Sequence, residues 1–223
     1  EAGIGKTALV ERFIRVQGSP ARVLWAACDD LFTPRPLAPI SDMVAQMGGS
    51  LPALLETPGQ WSALCAAMLA ELQSQPTIVV VEDLHWVDEG TLELLLYLAR
   101  RLEHTRALLV LTYRTDTHGP QHPLGPALTE LRGLPGCQTL TLRPLSIKAI
   151  RVLLGEAGRS ETALAAVDMH KLTGGNPFYL RELGRSMRGS TDSALRLPTS
   201  LREVVRGRMA PRSNRAQELL RAA

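Results

Sequence analysis

The residues with the most chemistry in them open the chain: Glu1-Ala2-Gly3-Ile4-Gly5-Lys6-Thr7. A phosphate loop reads G-x-x-x-x-G-K-[ST], and every position fits except the first glycine. That glycine is expected one residue before Glu1, so the chain is expected to begin inside the motif. Successive backbone N–H groups from Gly3 to Lys6 can form a concave cradle for phosphate oxygens. The helix that follows adds unpaired N–H groups and the positive end of its dipole. Gly3, Ile4, Gly5, Lys6, Thr7 and Ala8 are the expected nucleotide contacts. Lys6 would reach the β- and γ-phosphates, and the Thr7 hydroxyl would bind Mg²⁺.

A second group sits at Glu82-Asp83, after the apolar run Ile78-Val79-Val80-Val81. Strand C-terminal ends in open α/β sheets line the ligand crevice. Two adjacent acids there suit two tasks: one holds Mg²⁺, and one orients or deprotonates an attacking water. Counting four apolar residues before the first acid gives Glu82 to the metal and Asp83 to the water. The reverse assignment fits nearly as well. Arg114 follows the next apolar run and could sense and stabilise a terminal phosphate. Gly174-Gly175-Asn176-Pro177 opens a later helix with proline in its first turn. Its functional reading is a lid contact to the nucleotide.

These groups need a scaffold, and the pattern supplies one. Lys6 follows a glycine at the head of an amphipathic helix, expected from Gly5 to about Val16. Arg22–Cys28, Pro76–Asp83 and Ala107–Thr112 read as strands, and Cys137–Leu142 as a last one. Helices are expected near Ile40–Met47, Gln60–Gln73 and Thr91–Leu102, the last capped by Asp88. His118–Pro126 reads as an exposed loop. Its His118 and His122 are separated by Gly119-Pro120, which denies them a shared helix face for a metal. Strands alternating with helices imply an α/β fold with a parallel sheet. After Pro144 only helices are expected: Ser146–Glu156, Glu161–Leu172, Phe178–Met187 and Leu201–Met209. The organisation expected is an α/β domain over 1–144, a helical lid over 145–198 and a further segment over 199–223. Gly189 to Pro198 reads as a linker.

Composition narrows the class. The 223 residues are 45% hydrophobic, ordinary for a globular chain, with a net charge of +3. No apolar run approaches the roughly 20 residues that span a bilayer, so no membrane role is expected. The charge balance does not itself predict nucleic-acid binding, and arginines near the C-terminus read as a solvated face. Lys6, Lys148 and Lys171 are the only lysines, so a lysine kept in the phosphate loop suits a compact point charge. Cys28, Cys65 and Cys137 are odd in number and widely spaced, which argues against a disulfide framework or a zinc site. Reduced thiols in the cytoplasm are expected.

Taken together, GIGKTALVERF, VVVEDLHWVDEGTLELLLYLARRL, LLVLTYR, LRPLS and LTGGNPFYLREL resemble the STAND class of signal-transduction ATPases. Within it, they are similar to the AAA-type module of large LuxR-family and related bacterial transcriptional regulators. The resemblance implies a P-loop NTPase fold and an ATP-driven switch, ADP-bound at rest and self-associating when ATP-bound, with Mg²⁺ as the metal. It places the Walker A motif on Gly3, Gly5, Lys6 and Thr7, and Walker B on Glu82 and Asp83. It puts the sensor arginine on Arg114 and the lid Gly-x-Pro on Gly175 and Pro177. Leu197–Ala223 resembles the start of a winged-helix segment, and DNA contact falls to a helix-turn-helix further C-terminal. The resemblance also implies a strand before residue 1, between Ala107–Thr112 and Cys137–Leu142. Two other functions compete: a nucleotide-gated scaffold without turnover, and an origin-recognition-type ATPase acting on DNA.

Overall fold

The computed structural model describes residues 1–17, 21–29, 36–115, 122–156 and 162–189. They divide into two compact units. One holds Glu1 and Lys6–Thr141; the other holds Ala2–Gly5 and the residues from Leu142 onward.

The first unit is built on a sheet. In chain order it contains α1 (Lys6–Gln17), β1 (Arg22–Ala27), α2 (Ala38–Met47), α3 (Leu51–Glu56) and α4 (Trp61–Ser74). Then come β2 (Thr77–Glu82), α5 (Glu89–Ala99), β3 (Ala107–Leu111) and α6 (Leu124–Gly133). The strands lie in the order β1-β2-β3 and both pairs are parallel. Parallel strands buried on both faces need apolar side chains at every position, and β2, TIVVVE, is buried throughout.

Side chains alternate between the faces of a strand, and two apolar clusters record this. Leu24, Ala26, Val79 and Val81 face the main core, with Ile40, Met43, Leu64, Met68, Leu72 and Leu95 from the covering helices. Ile78 and Val80 face the other way, onto Val10 of α1, with Phe13, Ile14, Trp25 and Val110 packed around them. The same alternation assigns Glu82 to the α1 face of β2. One face of the sheet is therefore greasy packing, and the other ends in a carboxylate.

Local chemistry sets the element ends. Asp88 caps α5: its carboxylate accepts the Thr91 N–H at 3.0 Å and the Thr91 hydroxyl at 2.6 Å. Such a cap is typically worth about 1 kcal/mol. The outer edge of β1 is satisfied at its middle by a side chain. The Gln46 amide on α2 accepts from the Trp25 N–H at 3.0 Å and donates to the Trp25 carbonyl at 2.8 Å.

Two expectations for this unit are corrected. Residues 137–142 form no strand. The alternation is right, but a strand exists only where its N–H and C=O groups find a ladder. No ladder reaches this run among the described residues, and Leu140 is 75% exposed. The expected loop His118–Pro126 also gives way at its end to α6, whose Leu124 is fully buried. Pro123 and Pro126 fall at the cap and in the first turn, where a missing N–H costs nothing. The short α3 was likewise hidden in a Gly/Pro-containing segment.

The second unit contains α7 (Ile147–Glu156), α8 (Thr162–Thr173) and α9 (Pro177–Gly189). Ile150, Leu154, Ala166, Met169 and Leu183 make its core. Gly175 has φ +77, and a Cβ there would collide with the Leu145 carbonyl. The Leu145 N–H donates to the Gly175 carbonyl at 2.7 Å, so the turn before α9 is stitched to the start of the unit. The segment 199–223, the helix Leu201–Met209 and all but the first residue of the linker from Gly189 lie outside the described residues.

Candidate nucleotide site

The loop ahead of α1 has the backbone a phosphate cradle needs. Gly3 and Gly5 take φ +72 and +98, a region that side-chain-bearing residues rarely enter. Between them Ile4 is buried, which anchors the loop by its one large side chain.

Residues 2–5 pack within the helical unit. Buried Asn176 donates from its amide to the Ala2 carbonyl at 3.0 Å, and its Oδ1 accepts the Phe178 N–H at 3.0 Å. The Phe178 N–H also reaches the Gly3 carbonyl at 3.2 Å. A Cβ on Gly3 would lie 2.7 Å from the Phe178 Cβ, and one on Gly5 would lie 4.0 Å from Pro177 Cγ. Pro177 and the glycines of the loop are thus neighbours, with Asn176 linked to Ala2 beside them. Sequence reasoning quoted Asn176 but gave it no role.

Lys6 and Thr7 begin α1, in the sheet unit. Lys6 is half-buried. The Thr7 hydroxyl donates to Glu82 Oε1 at 2.6 Å, joining the head of α1 to the end of β2. Glu82 is 8% exposed, and its other oxygen, Oε2, accepts the Trp25 indole N–H at 3.2 Å. Trp25 was missed by sequence reasoning.

Asp83 goes elsewhere. It sits just past β2 in the left-handed region, φ 55 and ψ 44, a conformation that costs an L-residue energy and often marks a site under constraint. Thr112 holds it: the Asp83 N–H donates to the Thr112 hydroxyl at 3.1 Å, and the Leu84 N–H to the Thr112 carbonyl at 2.9 Å. The Asp83 side chain is 46% exposed, and its Oδ1 lies 3.8 Å from Nδ1 of buried His85. The two adjacent acids part where β2 ends: Glu82 keeps the strand geometry and is tucked against Thr7, while Asp83 turns into the left-handed region and stays open to solvent. Arg114 is half-buried, three residues beyond the end of β3.

Cys28 follows β1, and its N–H donates to the Glu82 carbonyl at 2.9 Å. Burial, followed by the charges of Asp88, Asp83 and Asp29, pushes its thiol up to about 12. It stays protonated and is no nucleophile.

Among the described residues no cluster of three or more His, Cys, Asp or Glu side chains could hold a metal by itself. Mg²⁺ needs none, since it is commonly bound by one or two protein oxygens with phosphate and water completing the shell. The Thr7 hydroxyl and the Glu82 carboxylate are two hard oxygens already in contact, and they fit that requirement.

Residues 1–111 match the family described as the AAA ATPase domain. The match supports an AAA-type P-loop ATPase module over this part of the chain. No curated protein matches the chain. The matched part of the AAA-type module runs from the phosphate loop to the last residue of β3. It therefore includes Lys6, Thr7, Trp25, Glu82 and Asp83, and stops short of Arg114. Among the described residues no helix is long and apolar enough to cross a membrane.

Proposed function

We propose that the chain is the ATP-binding, slowly hydrolysing switch of a bacterial signal-transduction regulator of transcription, working in the cytoplasm. The observation that carries the nucleotide reading is the 2.6 Å hydrogen bond from Thr7 to Glu82. It joins the hydroxyl of a phosphate loop to the acid at the end of the strongest strand, as a Mg²⁺–nucleotide site requires.

In this reading Gly3, Ile4, Gly5 and Ala8 present backbone N–H groups to the phosphates, and Lys6 neutralises their charge. Thr7 and Glu82 hold Mg²⁺, which when bound draws charge from the phosphate oxygens. Asp83, exposed and fixed by Thr112, orients the attacking water and takes its proton. Arg114 senses the terminal phosphate. Gly175 and Pro177 act through loop residues 2–5, which cluster with them. Self-association in the ATP state and DNA contact through a helix-turn-helix beyond residue 223 belong to the regulator as a whole.

Calorimetric titration of ATP tests the core of this reading. Lys6→Ala removes a charge-assisted contact, so affinity should fall by roughly tenfold or more. Unchanged affinity in a folded Lys6→Ala protein would remove Lys6 from the site.

A further inference from the structure

The register of β1 against β2 brings an unassigned residue to the acid. Ala27 pairs with Glu82 and Trp25 with Val80, so Trp25 is the diagonal neighbour of Glu82 on the α1 face. Diagonal side chains on one face are within reach when one of them is long or aromatic. The indole spans the gap and donates to Oε2 at 3.2 Å, while Thr7 occupies Oε1 at 2.6 Å. Each carboxylate oxygen therefore has its own donor, and the rotation of the carboxylate about its last bond is set from both sides.

The type of donor matters. An indole N–H gives one hydrogen bond and accepts none. It cannot take a proton from Glu82, and it cannot ligate a cation in competition with it. A lysine or arginine at the same place would neutralise the charge that attracts a metal. Trp25 orients the acid and leaves its charge intact. The strand is itself held at this residue: Gln46 on α2 closes on both main-chain polar groups of Trp25. The indole is thus aimed from a clamped backbone, with its ring packed beside Val10, Ile78 and Val80.

We propose that Trp25 is a positioning residue for Glu82, setting the carboxylate for the cation that accompanies the nucleotide. This rests on the nucleotide reading above and adds a residue to it. The consequence is specific: losing the indole donor should raise the Mg²⁺ concentration needed for tight ATP binding. It should leave Mg²⁺-free binding alone.

The test is ATP binding by the full chain at stepped Mg²⁺ concentrations and in EDTA, for wild type, Trp25→Phe, Glu82→Gln and the double variant. Trp25→Phe keeps an aromatic ring on the packed face and removes the donor. The Mg²⁺ midpoint should rise roughly tenfold, as expected for losing one hydrogen bond to a charged group. Affinity in EDTA should stay near wild type, while the thermal midpoint should fall somewhat because a buried carboxylate oxygen loses its donor. In the Glu82→Gln background the same change should add nothing, because the two residues act as one unit. An unshifted Mg²⁺ midpoint, or an equal loss in EDTA, or an undiminished effect without Glu82, overturns the inference and leaves the nucleotide site standing. A wild-type chain that binds no ATP overturns the nucleotide reading itself, and one that binds it equally well with Mg²⁺ and in EDTA overturns the inference. Should Trp25→Phe fail to fold, Trp25 emission decides. With Trp61→Phe and Trp86→Phe in place, adding Mg²⁺ to the ATP-bound chain should shift it, and a spectrum that does not move overturns the inference.

Discussion

Thr7 and Glu82, 75 positions apart, share one hydrogen bond of 2.6 Å. The bond ties the first turn of α1 to the end of β2 and stands where Mg²⁺ is expected. Glu82→Gln keeps an oxygen that can accept from Thr7 but removes the negative charge. The gain in ATP affinity on adding Mg²⁺ should then shrink by roughly tenfold, with Mg²⁺-free affinity equal or slightly higher. Calorimetry in EDTA and in excess Mg²⁺ checks both halves.

Asp83 offers a separation of stability from chemistry. At φ 55 and ψ 44 it holds a conformation that glycine adopts without penalty. Asp83→Gly should raise unfolding stability by about 0.5–1 kcal/mol in urea titration, the scale of relieving a left-handed residue. The same variant should lose ATP turnover. Asp83→Asn should keep nucleotide binding and also lose turnover, since it removes the proposed base and little else.

Gly3 is constrained twice, by its φ of +72 and by the Phe178 Cβ 2.7 Å from where its own Cβ would lie. Gly3→Ala should destabilise by about 2 kcal/mol and weaken ATP binding. Asn176→Ala leaves the glycine intact and removes the amide from the Ala2 carbonyl. It should cost about 1–2 kcal/mol. Hydrogen exchange should quicken at residues 3–6 and at Phe178, and unchanged exchange there would mean that Asn176 holds nothing.

The thiols supply a control on burial. Cys137 is exposed and Cys28 buried. At mildly alkaline pH iodoacetamide should modify Cys137 and spare Cys28 in the native chain. The folded Cys28 value of about 12 stands above the ordinary 9.0. Its contribution to stability is therefore fully present below about pH 9 and is lost as pH rises toward about 12. Urea midpoints followed across that window should fall, and Cys28→Ala should flatten the fall.

Much of the scaffold is legible because its cause is local. The apolar run of β2 and the Asp88–Thr91 cap are written in neighbouring residues, and both are found where their spacing puts them. The Gly3–Gly5 loop is recognisable for the same reason: positive φ calls for glycine. The misreadings have non-local causes. Residues 137–142 alternate like a strand, yet alternation does not provide a partner. The contact from Trp25 to Glu82 depends on how β1 is registered against β2, and no pattern within RVLWAA encodes that. Asn176 meets Ala2 across 174 positions, a distance over which spacing carries no information.

The sheet is also asymmetric at its margins. On the β1 side the Gln46 amide occupies the main-chain groups of Trp25, in the middle of the strand. A strand docking there would first have to evict it. On the β3 side no described strand lies alongside Ala107–Leu111, and Leu108 is 46% exposed. Among the described residues the two margins therefore differ: the β1 margin carries a side-chain stopper at Trp25, and an added strand would displace no strand at β3.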